Sequence, residues 1–246
     1  LSSKTRAIIA VHLYGQSADL DAITYFCQKN KVFLIEDASQ AHGAKYKDER
    51  LGSIGDVGCF SCYPTKNLGA IGDAGLITTN NADLAIKIRM LREYGWNNRI
   101  SEYAGRNSRL DELQAAVLRI KLKYLDCDNI KRVKLAEYYS NQLSDMAIQL
   151  PALRKENESV FHLYVIQLEN RDSLLEKLKE DEIHAGIHYQ TPVHLQPAYK
   201  YRVLTAKDMS STETLTRRII SLPMYPELLM SDADKVVSSI KNFFGK

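Results

Sequence analysis

Apolar residues run almost unbroken through positions 5–13 (TRAIIAVHL) and again through 32–37 (VFLIED), and such short apolar stretches predict buried strands. Between them, residues 19–30 place Leu20, Ile23, Phe26 and Cys27 on one face of a helix. Strand, helix and strand at this spacing predict a right-handed crossover in a parallel sheet, and such sheets bind ligands beyond the carboxyl ends of their strands. Val57, Cys59, Phe60, Cys62 and Tyr63 mark a third buried strand, and residues 75–79 (GLITT) a fourth. A helix is expected over 83–94, with Leu84, Ile88 and Leu91 on one side, and then a polar, aromatic loop over 96–106. Ser108-Arg109-Leu110-Asp111 has the form of a capping box, and Leu113, Ala116, Val117 and Ile120 follow at helical spacing.

The helical pattern continues over 122–147 and is expected to carry the chain out of a large domain, 1–126, into a smaller one, 127–246. In the smaller domain, strands at 161–168 and 183–188 and helices at 172–179, 211–220 and 232–244 predict two-layer α+β packing. The first strand has only four residues before it and no initiating methionine, so the chain reads from its start like the middle of a domain.

Composition narrows the class. The chain has 246 residues, 45% hydrophobic and 26% charged, which suits a globular protein with one large core or a large and a small domain. Lys and Arg number 33 against 30 Asp and Glu, with no long block of one sign, so no nucleic-acid or membrane-surface footprint is present. No apolar run has membrane-spanning length and no basic-then-apolar leader opens the chain, so a cytoplasmic location is expected. Cys59 and Cys62 form a C-x-x-C, but on a strand residues three apart point to opposite faces, which suits reduced core thiols better than a disulfide or a shared metal.

Two strand ends carry candidate chemistry. Lys66 follows the third strand in a loop with Gly69, Gly72 and Gly75. A lysine at the mouth of a packed sheet is partly out of water, which lowers its pKa and frees its amine to attack a carbonyl; a solvated surface lysine is the plainer alternative. Asp37 ends the second strand, where burial demands a cation or hydrogen bonds; capping the turn at 38–42 is its alternative role. Gln40, three residues on, is placed to face the same pocket.

These residues also carry a resemblance. Glu36-Asp37-Ala38-Ser39-Gln40-Ala41-His42-Gly43, Gly55-Asp56, Phe60-Ser61, Lys66-Asn67-Leu68-Gly69, Gly72-Asp73 and Asn107-Ser108-Arg109-Leu110-Asp111-Glu112-Leu113-Gln114-Ala115-Ala116 resemble the DegT/DnrJ/StrS family of pyridoxal-phosphate-dependent sugar aminotransferases. The likeness runs from Val11-His12-Leu13-Tyr14-Gly15 to His188-Tyr189 and His194-Leu195-Gln196-Pro197, nearly the whole chain. Within the family it is most similar to enzymes that aminate C3 of dTDP-3-keto-6-deoxyhexoses.

The resemblance implies a type I PLP-dependent transferase fold, like aspartate aminotransferase, with a mostly parallel sheet in the large domain and a smaller C-terminal α+β domain. It implies pyridoxal 5'-phosphate as cofactor, held covalently by Lys66, which then moves the substrate proton as general base and acid. Asp37 would pair with the pyridinium nitrogen, Gln40 would lie beside the ring, and Ser61 would donate to the phosphate. Asn107 would reach the cofactor phosphate of the other subunit of a homodimer, although alone it reads, like Arg109, as a polar residue at a helix entry. Dehydrating relatives carry histidine in place of Lys66, so the lysine favours amino transfer, with glutamate the family's usual donor and a dTDP-keto-sugar the acceptor.

His188 and His194 stand on a loop that the resemblance sets beside the sugar-nucleotide pocket; with no third ligand at useful spacing, no metal is expected there, and His12, His42, His162 and His184 read as structural. Thr65 and Ala74 depart from the glycines common among relatives without removing a reacting group. The family's N-terminal portion, with a Gly-Thr helix start for the cofactor phosphate and an aromatic residue for the ring, has no counterpart here, so the chain is expected to lack it. Two alternatives follow: a catalytically silent truncated homologue serving as a binding or regulatory subunit, and a 4-aminotransferase of the same family.

Overall fold

A computed structural model describes residues 1–245. They form two compact units: residues 1–130 with 153–162, and residues 131–152 with 163–245.

In the first unit, β1 (Ala7–Val11), α1 (Leu20–Asn30) and β2 (Phe33–Asp37) make the expected strand–helix–strand, with β1 and β2 parallel and Val11 opposite Asp37. A short hairpin of β3 (Lys45–Tyr46) and β4 (Glu49–Arg50) leads to β5 (Val57–Ser61), which lies parallel to β2. β6 (Gly75–Thr78) closes the sheet antiparallel to β5, giving the order β1-β2-β5-β6. The alternation of side chains explains the packing. Ala10 and Leu34 point to the α1 side and share a core with Leu20, Cys27 and Ala38. On the other side of the same strands Ile9 and Phe33 are 63% and 60% exposed.

After β6 come α2 (Ala82–Leu91), capped by the Asn81 side chain on Leu84 N–H, and α3 (Glu112–Lys121). Between the two helices, where a loop is expected, the chain forms a small hairpin, β7 (Trp96–Asn97) with β8 (Ile100–Ser101). The capping box is also absent, because α3 begins after Asp111, whose side chain makes no cap hydrogen bond. Leu118 of α3 packs on Cys62, Leu68, Ala70 and Leu125, so this helix backs the loop after β5. The long helix expected over 122–147 is broken near its start, and α4 (Leu125–Gln142) runs from the first unit into the second. The chain returns once more to the first unit, where β9 (Asn157–Glu158) pairs with β3 and completes a three-stranded sheet.

In the second unit, β10 (Tyr164–Gln167) pairs antiparallel with β11 (Ile219–Leu222). α5 (Arg171–Glu180) and α7 (Met230–Phe243) bury Leu174, Leu178, Val236 and Ile240. The outgoing end of β11 is held from α4, where Arg132 donates to the Met224 carbonyl at 2.9 Å and Tyr139 to the Pro223 carbonyl at 3.1 Å. The strand expected at 183–188 does not form; only Gly186 pairs, with Ser221. Ile219 and Ile220, expected to end a helix, belong to β11, and α6 (Ser210–Arg218) stops just before them.

Candidate functional site

β2 ends in two carboxylates with different environments. Glu36 faces the core and is fully buried, with Oε2 accepting from Gly52 N–H at 2.7 Å and Oε1 from Ile54 N–H at 2.8 Å and Gly55 N–H at 2.7 Å. His12 Nε2 is 3.0 Å from Oε2, and because His12 Nδ1 accepts from Ala18 N–H at 3.1 Å, the Nε2 proton is the one donated to Glu36. Burial alone would raise the Glu36 pKa, but these hydrogen bonds outweigh it and hold the carboxyl below the usual range. A buried anion thus welds β1, β2 and the 52–55 turn together.

Asp37 points the other way along the pleat and is half-buried. Its Oδ1 accepts from Ser39 N–H at 3.1 Å and its carbonyl from His12 N–H at 3.0 Å, while Ala41 N–H bonds the Ala38 carbonyl at 2.9 Å to shape the turn that follows. Gln40 is buried in that turn, and its Oε1 accepts from Tyr14 N–H at 2.7 Å.

Ser61 ends β5, one strand over. The chain then folds tightly: Lys66 N–H bonds the Tyr63 carbonyl at 2.9 Å and Ala70 N–H the Cys62 carbonyl at 2.8 Å. Gly69 makes this possible, since a Cβ there would sit 2.4 Å from the Pro64 carbonyl oxygen. Lys66 is half-buried in the resulting loop. Burial lowers its pKa, and the Asp37 carboxylate pulls the other way, so the two groups lie within one another's field. His42, 2% exposed, closes this end of the sheet with its ring 5.3 Å from that of Phe60. Burial lowers its pKa to about 4, the Lys66 charge acts in the same direction, and the Ser61 backbone opposes both without making an ordinary hydrogen bond to either ring nitrogen.

The fold therefore gathers Asp37, Gln40, Ser61 and Lys66 at the carboxyl ends of two adjacent parallel strands. Asn107 lies on an exposed stretch bridged to Glu93; its side chain makes no hydrogen bond to the other four among the described residues. His188 and His194 belong to the second unit, where Nδ1 of His188 is 2.9 Å from Ser221 Oγ and Nε2 of His194 is 3.0 Å from Glu213 Oε1. Among the described residues no three His, Cys, Asp or Glu converge to hold a metal, and no helix is long and apolar enough to cross a membrane. The sequence marks His42 only as a structural histidine, and gives no sign of Asn129, a buried amide of α4 that touches both strand-end segments.

The sequence profile of the DegT/DnrJ/EryC1/StrS aminotransferase family matches residues 1–241. The erythromycin biosynthesis sensory transduction protein EryC1 of Saccharopolyspora erythraea is 43% identical, over 98% of this chain and 66% of that protein. The dTDP-3-amino-3,4,6-trideoxy-alpha-D-glucose transaminase of Streptomyces venezuelae is 40% identical, over 99% and 65%. Among solved structures, S. venezuelae DesV in complex with a ketimine intermediate superposes with a TM-score of 0.96 at 40% identity, over 100% of this chain and 67% of that one. The chain thus spans about two thirds of the length of these relatives. It belongs to the DegT/DnrJ/EryC1/StrS aminotransferase family, a family of pyridoxal-phosphate enzymes, and has their type I fold.

Proposed function

We propose that the protein acts as a pyridoxal-phosphate-dependent aminotransferase on a dTDP-linked 3-keto-6-deoxyhexose, with glutamate as amino donor and a homodimer as the working form. The observation that carries this reading is the placement of a half-buried amine, Lys66, and a half-buried carboxylate, Asp37, at neighbouring strand ends, with the Asp37 charge opposing the lowering of the Lys66 pKa by burial. The donor set suits the cofactor: an amine for its aldehyde, a carboxylate for its ring nitrogen, and a hydroxyl for its phosphate.

Bound pyridoxal phosphate supplies an electron-withdrawing ring that stabilises negative charge on the substrate carbon beside the nitrogen. The chain supplies the rest. Lys66 holds the cofactor through Nζ and, once displaced, takes and returns the substrate proton at that same atom; burial favours its uncharged form, which a base needs. Asp37 offers a fixed negative charge to the ring nitrogen, its Oδ1 already oriented by Ser39. Gln40, held through its Oε1 by Tyr14 N–H, is assigned to lie beside the ring. Ser61 offers its hydroxyl to the phosphate, and Asn107 serves the cofactor phosphate of the partner subunit. His188 and His194 are assigned to the sugar-nucleotide pocket. The relative from S. venezuelae, a 3-amino-sugar transaminase by name, supports amination at C3 over C4.

The test is to mix the chain with pyridoxal phosphate, reduce with borohydride and locate the pyridoxyl group by peptide mass, then assay keto-sugar-dependent formation of 2-oxoglutarate from glutamate. Label on Lys66 and its loss in Lys66→Ala support the reading, whereas label spread over surface lysines contradicts it. A second reading, a binding or regulatory subunit, has one point in its favour: the name "sensory transduction protein" of the relative EryC1. It predicts ligand binding without 2-oxoglutarate formation.

A further inference from the structure

The two arms of the candidate site arrive separately. The Asp37 arm is the turn after β2, ending at His42 and Gly43, and the Lys66 arm is the loop after β5. One side chain bonds to both. Asn129 is 7% exposed; its Nδ2 donates to the His42 carbonyl at 2.8 Å, and its Oδ1 accepts from Asn67 Nδ2 at 2.9 Å. Asn67 Nδ2 also donates to the Val160 carbonyl at 3.2 Å, and its Oδ1 lies 3.1 Å from His162 Nδ1.

Carbonyl acceptors remove the usual ambiguity of amide orientation. The His42 carbonyl can only accept, so it fixes the NH2 end of Asn129, and the Val160 carbonyl fixes the NH2 end of Asn67 in the same way. Asn67 Oδ1 is then an acceptor, and His162 must carry its proton on Nδ1. The hydrogen bonds form a directed chain from His162 through Asn67 and Asn129 to the peptide of His42. The backbone has been shaped around it. Gly43 has φ +87°, and a Cβ there would lie 2.7 Å from Asn129 Nδ2, so only glycine lets the amide come this close.

We propose that Asn129 is a positioning residue that sets the separation of the Asp37 and Lys66 arms, acting through the His42 peptide and Asn67 and touching neither cofactor nor substrate. The inference rests on the reading of Lys66 as the reacting amine. A buried amide costs desolvation unless every partner is in place, so the site has one satisfied arrangement and loses it if either arm shifts. A misplacement of about 1 Å at a reacting group is enough to slow chemistry by roughly a hundredfold.

The experiment measures the rate at which pyridoxal phosphate and borohydride label Lys66 in the full chain, in Asn129→Leu and in Leu174→Ala. Asn129→Leu keeps the branched shape and heavy-atom count and removes both bonds, and Leu174→Ala weakens the core of the second unit without touching the chain of amides. Asn129→Leu is expected to slow labelling about ten- to a hundredfold, with Leu174→Ala within about twofold of wild type. Equal labelling of Asn129→Leu and wild type overturns the proposal, as does an equal loss in Leu174→Ala. If wild type does not label at Lys66, the reading of Lys66 fails, and the amide chain is judged by a cofactor-free measurement. That measurement, which also decides if Asn129→Leu does not fold, is the ¹⁵N spectrum of the histidines. It should show a proton on His162 Nδ1, and an unprotonated Nδ1 overturns the directed chain.

Discussion

Replacing Glu36 by glutamine tests the buried anion that holds the Asp37 arm. In the native site each oxygen accepts twice, Oε1 from Ile54 and Gly55 and Oε2 from Gly52 and His12. A glutamine offers one oxygen and one NH2, so either orientation leaves two donors facing another donor. His12 cannot relieve the conflict by moving its proton, because Nδ1 is committed to Ala18 N–H. At roughly 1–3 kcal/mol for each stranded buried donor, Glu36→Gln should cost about 2–6 kcal/mol. That is a large share of the roughly 5–15 kcal/mol that a domain possesses. The assay is urea unfolding followed by circular dichroism at pH 7 and at lower pH. The Glu36 carboxyl titrates in the folded state below its ordinary 4.5, so its contribution is present above that pH and is lost as pH falls below it. Wild type should lose this part of its stability on acidification and Glu36→Gln should not. A variant within about 0.5 kcal/mol of wild type at pH 7 would refute the reasoning, because two stranded donors cannot cost so little.

Three further outcomes follow from the same structure. His42, with its pKa lowered from 6.5 to about 4, should show no NMR titration between pH 8 and 6, and its contribution to stability, present above 6.5, should fall as pH drops toward 4; a midpoint near 6.5 would contradict its burial. Gly69→Ala forces a Cβ to 2.4 Å from the Pro64 carbonyl, so it should lower the urea midpoint, by about 2 kcal/mol of stability, and slow pyridoxyl labelling of Lys66. In the second unit Leu174→Ala should cost about 2–5 kcal/mol of unfolding free energy while leaving that labelling intact.

The hydrophobic pattern carried β1, α1, β2 and β5 because each is a short apolar run or a one-sided helix bounded by polar residues. It failed where two periods overlap. Leu215 and Ile219 are spaced as neighbours on a helix face, so Ile219 and Ile220 read as its last turn although they pair with β10. Residues 183–188 read as a strand by alternation alone, yet only Gly186 finds a partner. In the site, Asp37 stood out as a carboxylate ending a buried strand and Lys66 as a lysine in the glycine-rich loop after one, each costly to bury unless paired. Gln40 followed from its place three residues beyond Asp37, and Ser61 only from the motif. Asn129 stands 62 residues from Asn67 near the start of α4, and a polar residue there looks like any solvated position until the fold buries it.

The central claim, that Asp37 and Lys66 act on one another in a single half-buried site, is tested most directly by titrating the Lys66 amine itself. Reductive ¹³C-methylation followed by NMR, with Lys66→Arg to assign the signal, gives its pKa in wild type and in Asp37→Asn. The wild-type value should lie below the ordinary 10.5, and removing the Asp37 charge should lower it further, since that carboxylate is what holds it up. A Lys66 that titrates as an ordinary surface lysine and does not respond to Asp37→Asn would contradict the account.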